Sequence, residues 1–157
     1  MIRMTKQTDY GFVLLSELAS EEGQVANAPE LAQATRLPLP TVAKILKLLA
    51  RAGVVRSQRG VKGGYSLARS AREITAAEIV TALEGPVALT VCIDGSPGEC
   101  EREDFCGVRG HWQRINQAVE RALSSISLDD LAHSGQVRAL VQIGNKRPDE
   151  PMTRRAT

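Results

Sequence analysis

The chain has 157 residues, enough for one domain with an appendage, and carries 20 Lys and Arg against 18 Asp and Glu. Hydrophobic residues make up 43% but aromatics only 3%, so the core is expected to be aliphatic, which favours packed helices over a large sheet. No apolar run reaches the roughly 18 residues of a membrane span, and no basic start leads into an apolar stretch; the expectation is a cytoplasmic protein without membrane contact, whose thiols stay reduced.

Tyr10, Val13, Leu14, Leu18 and Ala19 make one face of a first helix. Asn27 followed by Glu30 reads as a capping box that opens a short helix ending near Thr35. Residues 36–40 read as a turn, with Pro38 and Pro40 barring helix through it. A third helix follows, with Val42, Ile45, Leu46 and Leu49 inward and Gly53 at its end. Strands are predicted over 54–58 and 65–68, around a tip of Arg59, Gly60, Val61, Lys62, Gly63 and Gly64 whose glycines suit a hairpin. Helix, helix, turn, helix, hairpin is the order of a winged helix-turn-helix, with the hairpin as the wing.

Thr75 and Glu78 form a second capping box, and that helix stops at Gly85-Pro86. Residues 87–91 look strand-like. A long helix begins near Val108, with a stripe of Trp112, Ile115, Val119, Ala122 and Ile126 that predicts a homodimer seam. Ser127 and Asp130 cap one more short turn, and the polar stretch beyond reads as a disordered tail. The fold class is therefore mainly α: a winged helix-turn-helix (1–72), a linking helix with a cysteine loop (73–107), a dimerisation helix with a capped turn (108–135), and a tail (136–157).

Charge is distributed unevenly. Residues 31–72 hold nine Lys and Arg and no acid, whereas 81–143 hold five basic and nine acidic residues. The basic segment coincides with the third helix and the hairpin, the elements that meet DNA in this topology. The third helix should turn Thr41, Ala43, Lys44, Lys47, Leu48 and Arg51 to solvent. Thr41 and Lys44 are the candidates for base edges, and Lys47 and Arg51 for phosphates. Arg59 and Lys62 on the wing suit phosphate or minor-groove contact.

Cys92, Cys100 and Cys106 stand in a Cys-x7-Cys-x5-Cys pattern within a polar, acidic segment. Free cysteines normally favour burial, but three of them in a 15-residue polar loop make poor core residues. Soft thiolates at one site select an iron–sulfur cluster or zinc; the gaps are wider than in zinc fingers, and unliganded redox thiols remain a third reading. His111 is a candidate fourth ligand or a polar residue on the outer side of the long helix. His133 reads as structural. There is no phosphate-binding glycine loop, no nucleophile with a matched base and no two-histidine motif, so an enzyme with a small-molecule substrate is not expected.

The stretches Thr5-Lys6-Gln7-Thr8-Asp9-Tyr10, Arg59-Gly60-Val61-Lys62-Gly63-Gly64-Tyr65-Ser66-Leu67, Ala77-Glu78-Ile79-Val80, the Glu84-Gly85 stop and the three cysteines together resemble the IscR/NsrR-type (Rrf2) family of winged-helix regulators, over about residues 2 to 135. Cys92-Ile93-Asp94-Gly95-Ser96 and the run from Arg109 to Asn116 look closest to regulators of the SUF iron–sulfur assembly operon. The resemblance implies a homodimer formed through the long helix, an operator dyad as double-stranded DNA target, and one cluster per subunit, 2Fe-2S in preference to 4Fe-4S. It implies a cluster-sensing transcriptional regulator, expected to be a repressor.

The chain departs from the family in two places. The first cysteine gap is longer than usual, and Arg109 stands where the IscR branch has its ligand histidine. In the NsrR branch an aspartate from the partner subunit completes the site, and Asp9 matches its position; the alternative role for Asp9 is to stabilise the first turn of its helix. Other readings are a nitric-oxide or redox sensor of the same family, a zinc-stabilised regulator, and an iron–sulfur carrier or scaffold. The last should lack a basic wing, and Arg59 and Lys62 are present.

Overall fold

The structure, a computed structural model, describes residues 3–20, 23–60, 62–90, 93 and 106–133. In chain order come α1 (Lys6–Ser20), α2 (Ala28–Thr35), α3 (Leu39–Arg51), β1 (Val55–Gln58), β2 (Gly64–Leu67), α4 (Ala76–Glu84), α5 (Arg109–Ser124) and α6 (Leu128–Ala132). β1 and β2 pair antiparallel, with Val55 opposite Leu67 and Gln58 opposite Gly64. The chain is a mainly helical winged helix-turn-helix. Among the described residues no helix is long and apolar enough to cross a membrane. The expected tail, 136–157, lies outside the described residues.

Local chemistry sets the boundaries. Asn27 Oδ1 accepts the Glu30 N–H at 2.9 Å while Glu30 accepts the Asn27 N–H at 2.8 Å, so the first turn of α2 is closed reciprocally. Arg36 then adopts a left-handed conformation (φ 56°) that turns the chain out of α2. The expected turn over 36–40 is shorter than its prolines suggest. α3 begins at Leu39, with Pro38 as its N-cap and Pro40 inside its first turn. Proline is tolerated there because first-turn N–H groups have no intrahelical acceptor. At the other end Gly53 is left-handed (φ 74°). Its N–H reaches Ala50 O at 3.1 Å and the Val54 N–H reaches Leu49 O at 2.9 Å, the paired bonds of a Schellman ending.

One aliphatic core joins α1, α2, α3, α4 and α6. Leu14, Leu15, Val42, Ile45, Leu46, Leu49, Ile74, Ile79 and Leu128 are its most buried side chains, together with Leu31 and Val54. The chain returns to this core after α5: the Ala76 N–H donates to Ile126 O at 2.9 Å and the Leu128 N–H to Ile74 O at 2.8 Å. Ser127 and Asp130 cap α6 as anticipated.

The start of α1 and the end of α4 satisfy each other. Glu84 Oε1 accepts the Thr5 N–H (3.0 Å), the Thr5 hydroxyl (2.6 Å) and the hydroxyl of buried Thr8, while Gln7 Nε2 donates to Leu83 O at 3.0 Å. The Thr5 and Thr8 hydroxyls hold the Glu84 carboxyl below the usual glutamate range. The residues that carried the family resemblance at the N-terminus and at Glu84-Gly85 are thus the two halves of one junction.

Residues 87–90 do not form the expected strand. Their backbone pairs with a side chain instead of a neighbouring strand. Asn116 of α5 accepts the Leu89 N–H at 3.1 Å and donates to Val87 O at 2.8 Å. Asn116 is the buried residue of α5, and its amide meets two backbone groups that burial would otherwise leave wanting.

Candidate nucleic-acid interface and cysteine segment

The face of α3 opposite the core carries Pro40, Lys44, Lys47 and Arg51, spaced four, three and four apart, and all four are exposed. Lys44, Lys47 and Arg51 therefore stand outward as the sequence suggested. Thr41 and Ala43 are half-buried on the flanks of that stripe, and Leu48 packs against the core instead of facing solvent. The position of Leu48, between the inward Ile45 and Leu49, lets a broad apolar stripe wrap farther round the helix than a strict inward/outward split allows.

The wing is docked, not merely attached. The Ala26 N–H donates to Tyr65 O at 3.0 Å and the Tyr65 N–H to Ala26 O at 2.8 Å, so the α1–α2 connection extends the hairpin by one bridge. A Cβ at Gly64 would lie 2.5 Å from the Ala26 carbonyl oxygen, so this approach of two backbones requires glycine. The bridge at Ala26 escapes a reading from the sequence, since a single paired residue leaves no alternation. Its one trace is the glycine pair Gly63-Gly64. Arg59 and Lys62 are both exposed at the tip. Arg56, on the outward side of β1, adds an exposed cation not singled out from the sequence. Arg69 is engaged by Glu78 at 2.9 Å.

The cysteines are placed unequally. Cys92 and Cys100 lie outside the described residues; Cys106 is half-buried just ahead of α5, where its carbonyl accepts the Arg109 N–H at 3.3 Å. His111 is exposed in the first turn of α5. Asp9 is exposed in the first turn of α1. Among the described residues no three His, Cys, Asp or Glu side chains come close enough to hold a metal ion. His133 is paired with Asp129, through the backbone carbonyl at 3.0 Å and the carboxylate at 3.2 Å, in keeping with a structural role.

α5 is thinly covered. Trp112 (38%) and Ile115 (46%) are exposed, as is Ala122, while Val119 and Ile126 are half-buried. Beside its C-terminal end a largely apolar cleft of about 680 Å³ runs between α1 and α6, lined by Phe12, Val13, Leu123, Ile126 and Leu131, with Asp9 among its walls. Val13 on its wall is 42% exposed.

Residues 4–134 match the Rrf2 family, described as an iron-dependent transcriptional regulator. The chain is 32% identical over 153 residues to Protein aau3 of Rhizobium meliloti (strain 1021), covering 97% of this chain and 98% of that one. It is 33% identical to the HTH-type transcriptional regulator CymR of Bacillus subtilis (strain 168), covering 83% and 90%. It is 31% identical to the HTH-type transcriptional regulator IscR of Photorhabdus laumondii, covering 87% and 82%. Among solved structures, that of CymR, the global cysteine regulator of B. subtilis, superposes with a TM-score of 0.65 at 32% identity over 84% of this chain and 97% of that one. The IscR of T. potens gives 0.64 at 25% identity over 90% and 93%.

Proposed function

The chain belongs to the Rrf2 family of DNA-binding transcriptional regulators, which are not enzymes, and we propose that within this family it senses an iron–sulfur cluster and controls an operon for iron–sulfur cluster assembly of the SUF type. The observation that carries the proposal is the cysteine segment: three thiols within fifteen residues, entered through the Asn116 clasp on Val87 and Leu89 and ending with half-buried Cys106 at the head of α5. Thiolates in that number fit an iron–sulfur cluster. Cys92, Cys100 and Cys106 would hold it, with Asp9 of the partner subunit or His111 as the fourth ligand, 2Fe-2S in preference to 4Fe-4S. A cluster held by these thiols would supply a group sensitive to oxidation and to iron supply.

The rest belongs to this chain's own residues. The exposed Trp112 and Ile115 make α5 the seam of a homodimer, and the cleft beside Phe12 and Val13 receives part of the second copy. The same arrangement carries Asp9 toward the partner. Cys106 stands directly ahead of α5, so a group held there would bias how α5 seats two winged units and hence the distance between two α3 helices. A two-fold dimer meets half-sites about one helical turn apart, so a small shift decides whether both α3 helices dock. Lys47, Arg51, Arg59 and Lys62 anchor phosphates while the first turns of α3 read bases.

Anaerobic purification followed by an absorption spectrum and iron and sulfide analysis tests the reading. The expected protein is coloured, holds iron with acid-labile sulfide, and loses both in Cys92→Ala, Cys100→Ala or Cys106→Ala. A colourless anaerobic protein with stoichiometric zinc overturns the cluster and leaves a zinc-stabilised regulator.

A further inference from the structure

The start of α3 is unusual for an element that reads DNA. Leu39 is 45% exposed although Val42, Ile45, Leu46 and Leu49 of this helix are buried and Leu48 and Ala50 pack on the core. Pro40 is exposed beside it, and Ala43, one turn on from Leu39, is half-buried on the same flank. The polar resources of this end are meagre. Pro38 and Pro40 have no N–H, and the Thr41 N–H is already given to Pro38 O at 2.9 Å. Three of the four N–H groups that a helix start normally offers to an anion are thus absent or engaged. No side chain caps the helix. The exposed cations of the stripe, Lys44, Lys47 and Arg51, begin only at Lys44, and no acid lies anywhere in residues 31–72. The surface is therefore a small apolar tip on an otherwise cationic ridge, which fits the floor of a groove whose rims are phosphates.

The major groove offers one apolar feature, the 5-methyl group of thymine. We infer that the first turn of α3 reads its operator by apolar contact, with Leu39 as the specificity-determining residue, flanked by Pro40 and Ala43, packed on thymine 5-methyl groups. This rests on the DNA-reading role proposed above for the first turns of α3 and names what they read. It shifts part of the base reading from Thr41, which is half-buried, to a residue that stands clear of the core.

The test uses uracil, which differs from thymine only by the missing methyl. Duplexes are selected from a random pool by the anaerobically prepared full chain. In the best duplex each thymine is then replaced singly by uracil, and binding is measured by anisotropy at fixed salt. In each half-site at least one replacement should weaken binding about fourfold, the worth of one buried methyl. Leu39→Ala should bind the thymine and uracil duplexes alike, with an unchanged melting temperature. Equal binding of thymine and uracil duplexes by the wild type at every position overturns the inference, as does a uracil penalty that survives in Leu39→Ala. If no duplex is enriched over the random pool, the DNA-reading role itself fails, an outcome distinct from the other two.

Discussion

The hydroxyl of Thr8, fully buried in α1, donates to Oε1 of Glu84, the last residue of α4. Glu84→Ala strands that hydroxyl and removes the two further bonds from Thr5. Denaturant unfolding should show a loss of about 1–3 kcal/mol, and adding Thr8→Val should recover part of it, because removing both partners leaves no orphan. The same pair sets a pH dependence. Hydrogen bonds from Thr5 and then Thr8 lower the folded-state pKa of Glu84 from its ordinary 4.5. Its contribution is then full above about pH 4.5 and disappears as the pH falls through the lower folded value. The stability gap between wild type and Glu84→Gln should therefore shrink on acidification. A gap that stays constant from about pH 7 to about pH 3 would contradict the ionised pairing.

Gly64→Ala places a Cβ 2.5 Å from the Ala26 carbonyl oxygen, and neither backbone can yield without breaking the bridge. The expected cost is about 1–3 kcal/mol. The wing should also loosen, weakening binding to specific and random DNA together. Unchanged unfolding midpoints would show that the contact between the connection and the hairpin is dispensable.

Val119→Asp puts a charge into the stripe that Trp112 and Ile115 continue in solvent. The wild type should sediment as a dimer at micromolar concentration and the variant as a monomer, since an unpaired charge in an apolar seam costs several kcal/mol. The half-buried side chain is not part of the main core, so the variant should keep its helical circular dichroism. A monomeric wild type refutes the seam.

Lys62→Ala and Lys44→Ala should leave opposite marks on DNA binding. Lys62 is exposed on the wing tip, so its loss should reduce the slope of log affinity against log salt by about 0.9 and weaken operator and random duplexes alike. Lys44, exposed on the second turn of α3, should cost about 1–3 kcal/mol on the operator and little on random DNA. An unchanged slope for Lys62→Ala removes the wing from the interface.

The local signals were well legible. Asn27 with Glu30, Thr75 with Glu78 and Ser127 with Asp130 announce helix starts because each cap is made by residues three apart in the chain. The hairpin was legible to within a residue at either end for the same reason. What escaped depends on partners distant in sequence. In the sequence Glu84 reads only as part of a helix stop, and its junction with Thr5 and Thr8 spans more than seventy residues. Residues 87–90 had the composition of a strand but found an asparagine side chain instead of a neighbour to pair with. In the candidate site, Lys44, Lys47, Arg51, Arg59 and Lys62 were legible as exposed cations. Leu39 was not, because exposure of an apolar side chain is decided by what the fold fails to place over it.

Between the last turn of α3 and the first residue of β1 there are only Ala52, Gly53 and Val54, and the Schellman bonds fix all three. α3 and the wing are therefore held at one angle to each other, with no connecting segment left to order. Association should then lose little conformational entropy at this joint. Binding of one half-site should show a heat-capacity change set by the apolar surface it covers and not by refolding.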